Sequence, residues 1–497
     1  MRVTIASRRS ELARIQAYQV GDALQAAHPQ LELQYSFHES LGDRNQNDPL
    51  WQMPEKGVFT QDFGEGLLKG DFDLVVHSWK DLAIEEGVET EVAATLSRAD
   101  VRDLLLVRAD RWSGVERTGK FAVLTSSPRR AYNLDEFLRE ALPAKLSEVR
   151  FVNVRGNIPT RVRKLFQTDV DGLVVAKAAL DRLLEAKLEE FAATQAELHT
   201  AVSRCRWMVL PLSENPAAPA QGALAIEIVR GRTNLRELLA PLNCPETFAA
   251  ATREREILRS YGGGCHQKIG VSVLHRPFGE ITSLRGLTDD GEILRDWSLR
   301  PTAPRPPKLS RKEMWPLEPS DVDWFAREQV PVEPVDDPSA FWLAKADALP
   351  DEWEVKPNQI VWASGVQSWK RLAERGVWVN GCSESLGERE PQMIETLAGT
   401  DLKWQKLTHA DSKSDGVMPA VATYRLVPKN CQPDLAGKSY FFWKSGSSFD
   451  YALSHNPWLR QMVHFCGPGN TQSALLRQGI EPFVFLNHAE WLKEMSL

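Results

Sequence analysis

A single cysteine directly behind three glycines is the first feature of this sequence that could do chemistry. Cys265 lies in the stretch YGGGCHQKIG, residues 261–270. Glycine permits backbone conformations that other residues resist, and it allows close approach of another group. A thiol on such a loop is accessible to a ligand that it could hold. The alternative is an inert loop thiol.

Arginine and serine side chains occur repeatedly where predicted strands end. In open parallel sheets, ligands bind beyond the carboxyl ends of the strands, where helix N-termini also offer free N–H groups to anions. Arginine adds a planar, bidentate grip on carboxylates. The pattern therefore predicts a cleft for a ligand with many carboxylates, although each arginine alone could be a solvated surface residue and each serine a helix cap. These residues are Arg8, Arg129, Arg130, Arg155, Arg161 and Arg182, with Ser10, Ser78, Ser126 and Ser127.

The stretch HSWKDL, residues 77–82, adds an acid to this set of cations. Lys80 and Asp81 directly follow the apolar run FDLVVHS. A carboxylate in a cationic cleft can stabilise a developing positive charge and transfer protons. The alternative for Asp81 is a helix cap or a surface ion pair.

Alternating strand and helix patterns must position these side chains. Such alternation predicts α/β domains with mainly parallel sheets. The proline-rich segment 299–340 has no clear period and is the best candidate for a linker. A second α/β pattern with two similar halves follows it. Before the linker we predict strands over 3–7, 31–37, 72–78, 121–127, 149–154 and 171–177, and helices over 10–27, 57–70 and 128–142.

Length and composition exclude several classes of protein. The chain has 497 residues, enough for several domains, and a net charge of −7 that implies no general affinity for nucleic acids. Its six cysteines are scattered without a CxxC pair, which argues against a zinc ribbon or a disulfide framework and fits a reducing cytoplasm. No apolar run approaches the ~20 residues that a membrane span needs, and the N-terminus lacks a signal-peptide pattern. We expect a soluble cytoplasmic protein without a metal site.

Eight pieces of the first ~300 residues together resemble the porphobilinogen deaminase (hydroxymethylbilane synthase) family. They occur in the family's order between residues 6 and 265. One such piece would be weak, but eight in register are specific. The pieces are ASRRSELARIQ, EKGVFTQDFGEGLL, FDLVVHSWKDL, TSSPRR, VRGNIPTRVRKL, APAQGALAIE, RERE and GGGC.

The resemblance implies a covalent cofactor and a stepwise condensation. Cys265 would carry a dipyrromethane through a thioether, and four porphobilinogen molecules would then add one at a time, each losing ammonia. Hydrolysis would release hydroxymethylbilane. Asp81 would stabilise the cationic azafulvene that forms when ammonia leaves, and would handle the pyrrole N–H protons.

The remaining site residues are also carried over by resemblance. Phe59 matches an aromatic position that can stack on a pyrrole, Gln16 lies in the matching first helix, and Gln221 lies in a hinge-like return. The implied contacts to the cofactor are Lys80, Ser78, Ser126, Ser127, Arg129, Arg130, Arg155 and Arg161. The implied contacts to the substrate are Arg8, Ser10, Gln16, Phe59, Arg182 and Gln221.

The implied architecture is α/β, with two domains like periplasmic binding proteins and a small α+β domain that carries Cys265. We expect porphobilinogen as the small-molecule partner, a monomer, and neither nucleic acid nor membrane as a partner. The predicted divisions are domain 1 over 1–98 and 221–241, domain 2 over 99–220, domain 3 over 242–300, a linker over 301–340, and a C-terminal module over 341–497.

Several positions depart from the family pattern without removing a catalytic group. Leu124 stands where glycine usually precedes TSS, and Pro128 replaces a leucine. Lys177 and Ala179 replace small or glycine residues, and HQKIG, with Lys268, replaces a polar-Val-Pro-Ile-Gly run. They suggest a divergent member whose rate or cofactor loading could differ.

The C-terminal module is similar to uroporphyrinogen-III synthases, a Rossmann-like family of two α/β lobes. That enzyme takes hydroxymethylbilane as its substrate, so a fusion of consecutive steps is coherent. The module is shorter than the family usually is, and its opening strand is not visible, so an active synthase and a degenerate module both remain open. The matching pieces are VWASGVQSWKRLAERGV, ATYRLVP, FFWKSGSSFDYAL and FCGPGNTQSALLRQGI, and the implied site residues are Tyr424, Ser445, Ser447, Ser448 and Thr471.

The rival hypothesis for the whole chain is a carboxylate-binding protein without catalysis. Such a binder needs the arginines but neither Asp81 nor Cys265. Because both are present, the sequence favours the enzyme.

Overall fold

The structure is a computed structural model, and its described residues form two compact units. The first unit comprises Met1–Arg139, Lys145–His275 and Thr282–Asp296, and the second comprises Glu140–Ala144, Arg276–Ile281 and Trp297–Leu497. Within the described ranges, no helix combines the length and apolarity needed to cross a bilayer. The structure describes residues 1–39, 61–85, 87–263, 267–318, 324–333, 339–412, 418–430 and 433–497.

Strands and helices alternate through the first 301 residues. The strands are β1 (Arg2–Arg8), β2 (Glu32–His38), β3 (Leu74–Ser78), β4 (Thr90–Ala94), β5 (Asp103–Arg108), β6 (Lys120–Leu124), β7 (Glu148–Val152), β8 (Gly172–Ala176), β9 (Cys205–Val209), β10 (Leu224–Val229), β11 (Gly270–Arg276), β12 (Gly279–Leu287) and β13 (Ile293–Pro301). The helices are α1 (Glu11–Ala27), α2 (Gln61–Lys69), α3 (Trp112–Thr118), α4 (Pro128–Ala141), α5 (Ile158–Gln167), α6 (Lys177–Leu184), α7 (Ala192–Ser203), α8 (Thr233–Leu239) and α9 (Pro245–Ser260).

The first sheet has the order β2-β1-β3-β10-β4. Strands β1, β2 and β3 are parallel, and β10 runs antiparallel to both β3 and β4. Val3, Ile5 and Ala6 of β1 are fully buried, as expected for a strand covered on both faces. Ser10 caps α1, which packs Val20 and Leu24 into the core of this sheet. The carboxyl ends of β1 and β3 therefore lie at one edge.

The second sheet has the order β7-β6-β8-β5-β9. Strands β6, β7 and β8 are parallel, and β5 is antiparallel to β8 and β9. The chain crosses between the two sheets twice, once between β4 and β5 and once between β9 and β10. Two α/β lobes joined by two crossings fit the expected likeness to periplasmic binding proteins.

A third sheet of β11, β12 and β13 follows α9. Gly270 opens β11 so close to Pro216 that an added Cβ would lie 2.3 Å from the Pro216 carbonyl oxygen. A larger residue there would force the sheet away from the second lobe. Cys265 lies between α9 and β11, in the part of this connection that is outside the described residues.

The second unit contains two further sheets. Its strands are β14 (Met314–Trp315), β15 (Phe325–Gln329), β16 (Ala340–Leu343), β17 (Ile360–Ala363), β18 (Gly381–Cys382), β19 (Trp404–His409), β20 (Ala420–Pro428), β21 (Tyr440–Trp443), β22 (Val463–Cys466) and β23 (Phe483–Val484). Its helices are α10 (Val366–Glu374), α11 (Glu395–Ala398), α12 (Gly446–His455), α13 (Asn470–Arg477) and α14 (His488–Met495).

One sheet has the order β15-β20-β19-β16-β17-β18 and the other β14-β21-β22-β23. All pairs are parallel except β15 with β20. The predicted alternation of strands and helices is thus confirmed at the level of a mixed α/β protein.

The segment 301–340, which the sequence predicts to be a linker, contributes to both sheets of the second unit. It contains β14 and β15, and Trp315 and Trp324 from this segment are 3% and 2% exposed. Both tryptophans pack in one cluster with Trp443 and Phe449. The sequence does not reveal these strands, because each is short, lies in a proline-rich segment and pairs with residues far away in the sequence.

Candidate functional site

Asp81 ends a short 3-10 turn, Trp79–Asp81, that directly follows β3. The backbone N–H of Trp79 donates to the Ala223 carbonyl at 3.0 Å, and the Trp79 side chain is 3% exposed. The buried Arg255 of α9 donates to the carbonyls of Trp79 (3.4 Å) and Leu82 (3.2 Å). The turn is therefore fixed from both sides while the Asp81 carboxylate remains exposed.

Arg129 and Arg130 share one fully buried carboxylate, that of Asp103 at the start of β5. Arg129 donates to Asp103 Oδ2 at 2.9 Å, and Arg130 grips both carboxylate oxygens at 3.0 and 2.7 Å. The amide of Asn215 donates to Oδ2 at 2.9 Å. The two guanidinium groups hold the pKa of Asp103 well below its usual range, while burial lowers the pKa of Arg129.

Gln221 connects this carboxylate to Lys80. Its amide donates to Asp103 Oδ1 at 2.9 Å, and its carbonyl oxygen accepts from Lys80 Nζ at 3.1 Å. Burial lowers the pKa of Lys80 to about 8, and the charges of Asp81, Arg130, Asp103 and Arg129 all act on it. Lys80 thus couples the Asp81 turn on the first sheet to the arginine cluster on the second.

The return to the first sheet at Gln221 needs an unusual backbone. Ala220 has φ of +61° and Gly222 has φ of +86°. A Cβ at Gly222 would lie 2.6 Å from the Ala99 carbonyl oxygen of the other crossing. Only glycine fits between the two crossings without displacing one of them.

Arg155 and Arg161 extend the cationic surface beyond β7. Arg161 Nε donates to the Gly156 carbonyl at 2.7 Å. Burial and then the charges of Arg130 and Arg155 lower the pKa of Arg161 to about 10, whereas Asp81 acts in the opposite sense. Five cations therefore interact with two carboxylates, of which Asp103 is already fully engaged. A ligand carboxylate would relieve this repulsion.

Arg182 of α6 and Gln16 of α1 are held near Ser78, at the end of β3. Arg182 is 8% exposed and donates to the Gly222 carbonyl at 2.8 Å, and burial lowers its pKa to about 10. Gln16 is buried on α1 and its amide donates to Ser78 Oγ at 2.9 Å. These partners hold both groups at the edge where β3 ends.

The other predicted serines are helix caps or half-buried neighbours. Ser10 Oγ accepts the Ala13 N–H at 3.4 Å, and Ser127 Oγ accepts the Arg130 N–H at the same distance. Ser126 is half-buried before α4, and Arg8 is half-buried at the end of β1. The capping alternative thus holds for two of the serines, which does not prevent the same hydroxyls from meeting a ligand.

Two predicted residues, Phe59 and Cys265, are outside the described residues.

Among the departures from the family pattern, Lys177 is 1% exposed and pairs with Asp181 at 2.5 Å and with Asp100 at 3.6 Å. Leu124 is buried at the end of β6. The buried lysine therefore brings its own counter-charges.

The departures nearer the surface make weaker contacts. Ala179 is half-buried on α6, and Lys268 is exposed with its ammonium 6.0 Å from the Tyr132 ring centroid. These observations place neither Ala179 nor Lys268 in contact with the arginine cluster.

Sequence reasoning missed three residues that hold the site together. Asp103 anchors the arginines, and Arg255 fixes the Asp81 turn. Glu254, fully buried, binds Arg98 at 2.8 and 2.7 Å and accepts the backbone N–H groups of Ala220 and Val273. A charged residue opening the apolar run 103–107, and the RERE stretch itself, were the available signals.

The second unit contains a separate cavity of about 280 Å³. Four of its five predicted site residues line this cavity, namely Tyr424, Ser445, Ser447 and Thr471. The fifth, Ser448, donates its backbone N–H to the Ser445 cap at the start of α12. The cavity walls come from both sheets of the unit, so residues distant in sequence converge there.

Cations are also prominent around this cavity. Lys345 keeps solvent-accessible surface although it lines the cavity. Desolvation of its ammonium by the surrounding residues lowers the pKa of Lys345 to about 8. Lys406 is 1% exposed and forms an ion pair with the equally buried Glu388. Lys444 and Arg477 line the same cavity. In the described ranges, no group of three His, Cys, Asp or Glu side chains could hold a metal ion.

Known proteins resemble the first unit at the level of sequence. The family model described as "Porphobilinogen deaminase, dipyromethane cofactor binding domain" matches residues 3–237. The porphobilinogen deaminase of Clostridium novyi (strain NT) is 30% identical over 299 residues, which cover 59% of this chain and 91% of that protein. That of Bordetella parapertussis is 34% identical over 286 residues, covering 58% of this chain and 82% of that protein.

One solved structure overlaps part of the chain more distantly. Uroporphyrinogen-III synthetase from Helicobacter pylori 26695 covers 34% of this chain and 88% of its own, at 14% identity and a TM-score of 0.25. That score is too low to assign a fold to any region. The sequence relatives, by contrast, span nearly their whole length, and with them the chain belongs to the porphobilinogen deaminase family.

Proposed function

We propose that the first unit joins four porphobilinogen molecules head to tail, with loss of four ammonia molecules, and releases hydroxymethylbilane by hydrolysis with one water. The observation that carries this proposal is the surplus of cations around Asp81. Lys80 and Arg161 interact with the positive charges of Arg129, Arg130 and Arg155, and the carboxylates of Asp81 and Asp103 act in the opposite sense. Every pyrrole of substrate and product carries an acetate and a propionate, so the growing chain supplies the missing negative charge.

The same residues fit a dipyrromethane cofactor, which the family model names. When bound, the cofactor supplies a free pyrrole carbon to which the first substrate unit is added. Arg129 and Arg130 are held rigidly by Asp103, so they can present guanidinium N–H groups to the cofactor carboxylates at little cost in side-chain entropy. The half-buried hydroxyls of Ser126 and Ser127 lie directly before these arginines.

Asp81 is the residue that we assign to the chemistry. Its exposed carboxylate stands on a fixed turn beside the ammonium of Lys80. Loss of ammonia from porphobilinogen leaves a cation, and a preorganised negative charge stabilises that cation more than it stabilises neutral substrate. The same carboxylate can accept the proton that leaves the pyrrole carbon after each bond forms.

The Cys265→Ser variant tests the covalent anchor. We expect the intact mass of the purified full-length parent to exceed the sequence mass by two pyrrole units, and this excess to vanish in the variant, because a hydroxyl does not replace the thiolate nucleophile. Cys205→Ser, at a half-buried thiol whose pKa burial raises to about 12, is the matched control and should keep the excess.

The rival hypothesis, a non-catalytic carboxylate binder, makes a different prediction. It requires no mass excess in the parent, even after incubation with porphobilinogen, and no release of ammonia. That pair of results would overturn the deaminase proposal.

For the second unit we propose uroporphyrinogen-III synthase activity. The support is the convergence of Tyr424, Ser445, Ser447 and Thr471 on one cavity with cationic walls. Hydroxymethylbilane carries eight carboxylates, and the cavity is large enough for one end of this linear molecule. A degenerate module that assists folding or product transfer is the alternative.

A Lys345→Met variant tests this second activity in the full chain. Supplied with porphobilinogen, the parent should yield mainly the type III isomer of uroporphyrinogen. The variant should consume porphobilinogen at the parental rate but yield several-fold less type III, because the cavity loses one carboxylate partner. Lys493→Met, an exposed lysine on α14, should behave like the parent.

Formation of only the type I isomer by the parent would contradict the synthase proposal. It would leave the deaminase proposal intact, since type I forms when released hydroxymethylbilane cyclises without guidance.

A further inference from the structure

His409 is a titratable group in the second cavity to which sequence reasoning assigned no role. It ends β19 and lines the cavity beside Tyr424, with a ring-centroid distance of 6.0 Å between the two side chains. Its Nε2 lies 3.2 Å from Ser447 Oγ on α12. Because β19 belongs to the six-stranded sheet and α12 follows β21 of the four-stranded sheet, this hydrogen bond joins the two walls of the cavity.

The other ring nitrogen of His409 is buried and unsatisfied. Nδ1 has no hydrogen-bond partner among the residues that the structure describes. A buried polar atom costs free energy unless a hydrogen-bond partner satisfies it, and a bound ligand can be that partner. The imidazole thus has one nitrogen fixed by the protein and one available for exchange with a bound molecule.

The charges around His409 would make its protonation sensitive to a charged ligand. Burial and the positive charges of Lys406 and Lys345 lower the pKa of His409, while Asp411 acts in the opposite sense. The other ionisable groups around the cavity are Tyr424, Lys444, Asp450 and Arg477. A bound polycarboxylate would neutralise the lysines and so favour uptake of a proton by the imidazole.

We propose that His409 is the proton donor of the second site and that Ser447 is its positioning residue. The inference rests on the proposed synthase activity. Protonated His409 donates its Nδ1 proton to the terminal hydroxyl of hydroxymethylbilane, the carbon–oxygen bond breaks, and water leaves. To give the type III isomer, the resulting cation is attacked first by the substituted carbon of the last pyrrole ring, and the bond between that carbon and its original methylene bridge then breaks. This bridge bonds instead to the free carbon of the same ring, and the proton released from that carbon returns to Nδ1, so that the last ring is inverted and the net change is loss of one water.

Ser447 acts through His409 rather than on the substrate. When the ring is protonated, Nε2–H donates to Ser447 Oγ, which stabilises the charged form and fixes the ring plane. Removal of this acceptor should lower the pKa of His409. A threonine at the same position keeps the hydroxyl.

The test measures the rate of type III formation from hydroxymethylbilane by the full-length protein as a function of pH. In the parent this rate should fall as pH rises through the pKa of His409, because the protonated ring is the active form. His409→Gln should reduce the rate about 100-fold and remove this pH dependence. Ser447→Ala should move the pH midpoint downward, and Ser447→Thr should restore it.

The outcomes separate the inference from the proposed function. If the parent forms no type III isomer, the synthase proposal fails and the role of His409 fails with it. If the parent forms type III and His409→Gln matches its rate and pH profile, only the inference is overturned. If His409→Gln lowers the Tm, the Ser447→Ala midpoint decides, since an unchanged midpoint would contradict titration of His409 in the reaction.

Discussion

Replacement of Asp103 by asparagine should destabilise the first unit by about 3–5 kcal/mol, a drop in Tm on the order of 10 °C. The carboxylate is fully buried and accepts five hydrogen bonds from four side chains. Asparagine has the same shape but carries no charge, and its amide nitrogen would face N–H donors. Two buried guanidinium groups would lose the counter-charge that they share.

The effect of this substitution depends on pH in a defined direction. The neighbouring arginines hold the pKa of Asp103 below its usual value, so its stabilising contribution is fully present above the unfolded-state pKa of about 3.9. The contribution is lost as pH falls from there toward the folded-state pKa. The difference in stability between parent and variant should therefore be constant near neutral pH and shrink below about pH 4.

Thermal unfolding of the full-length proteins at several pH values measures both effects. Asp169→Asn is the matched control, because Asp169 also pairs with an arginine, Arg111, at 2.6 Å but is 90% exposed. An exposed pair contributes at most about 1 kcal/mol. Equal Tm values for the two variants would show that Asp103 does not anchor the cluster.

The structure also explains why local sequence patterns located the arginines but not their anchor. Arg129 and Arg130 follow an apolar strand and open a helix, a pattern contained within a few adjacent residues. Asp103 belongs to an antiparallel strand inserted between β8 and β9, and its partners Asn215 and Gln221 are more than 100 residues away. A hydrophobic periodicity of 2 or 3.6 residues describes a single strand or helix and cannot predict contacts between residues this far apart in the sequence.

The second unit illustrates the same limit at the level of the fold. Residues 314 and 315 form a strand only because Tyr440 and Phe441 pair with them across the sheet. The helix starts at Ser445 and Asn470, by contrast, follow locally visible hydroxyl and glycine signals. Predicted hydroxyls therefore converged on a cavity, whereas His409, at the end of an unpredicted strand, was overlooked.

Replacement of Asp81 by asparagine should leave stability nearly unchanged and reduce the rate of porphobilinogen consumption by about 10² to 10⁴. The Asp81 side chain is exposed, and exposed substitutions away from packed features usually change the free energy of unfolding by about 0.5 kcal/mol or less. The turn beneath it is held by Arg255 and by the Trp79 backbone, not by the carboxylate. Only the negative charge beside Lys80 and Arg161 is removed.

Initial rates of porphobilinogen consumption, with ammonia release as a second measure, test this expectation. Asp71→Asn, at an exposed aspartate in the turn after α2, is the control and should retain the parental rate. If Asp81→Asn retained the parental rate, the role in proton transfer would have to be assigned to another acid. Asp103 also belongs to the cluster, but its carboxylate is fully buried, its pKa is held below the usual range, and it accepts five hydrogen bonds, so it is a poor acceptor of protons near neutral pH. The two substitutions should therefore have different effects: Asp103→Asn lowers stability, and Asp81→Asn lowers the rate.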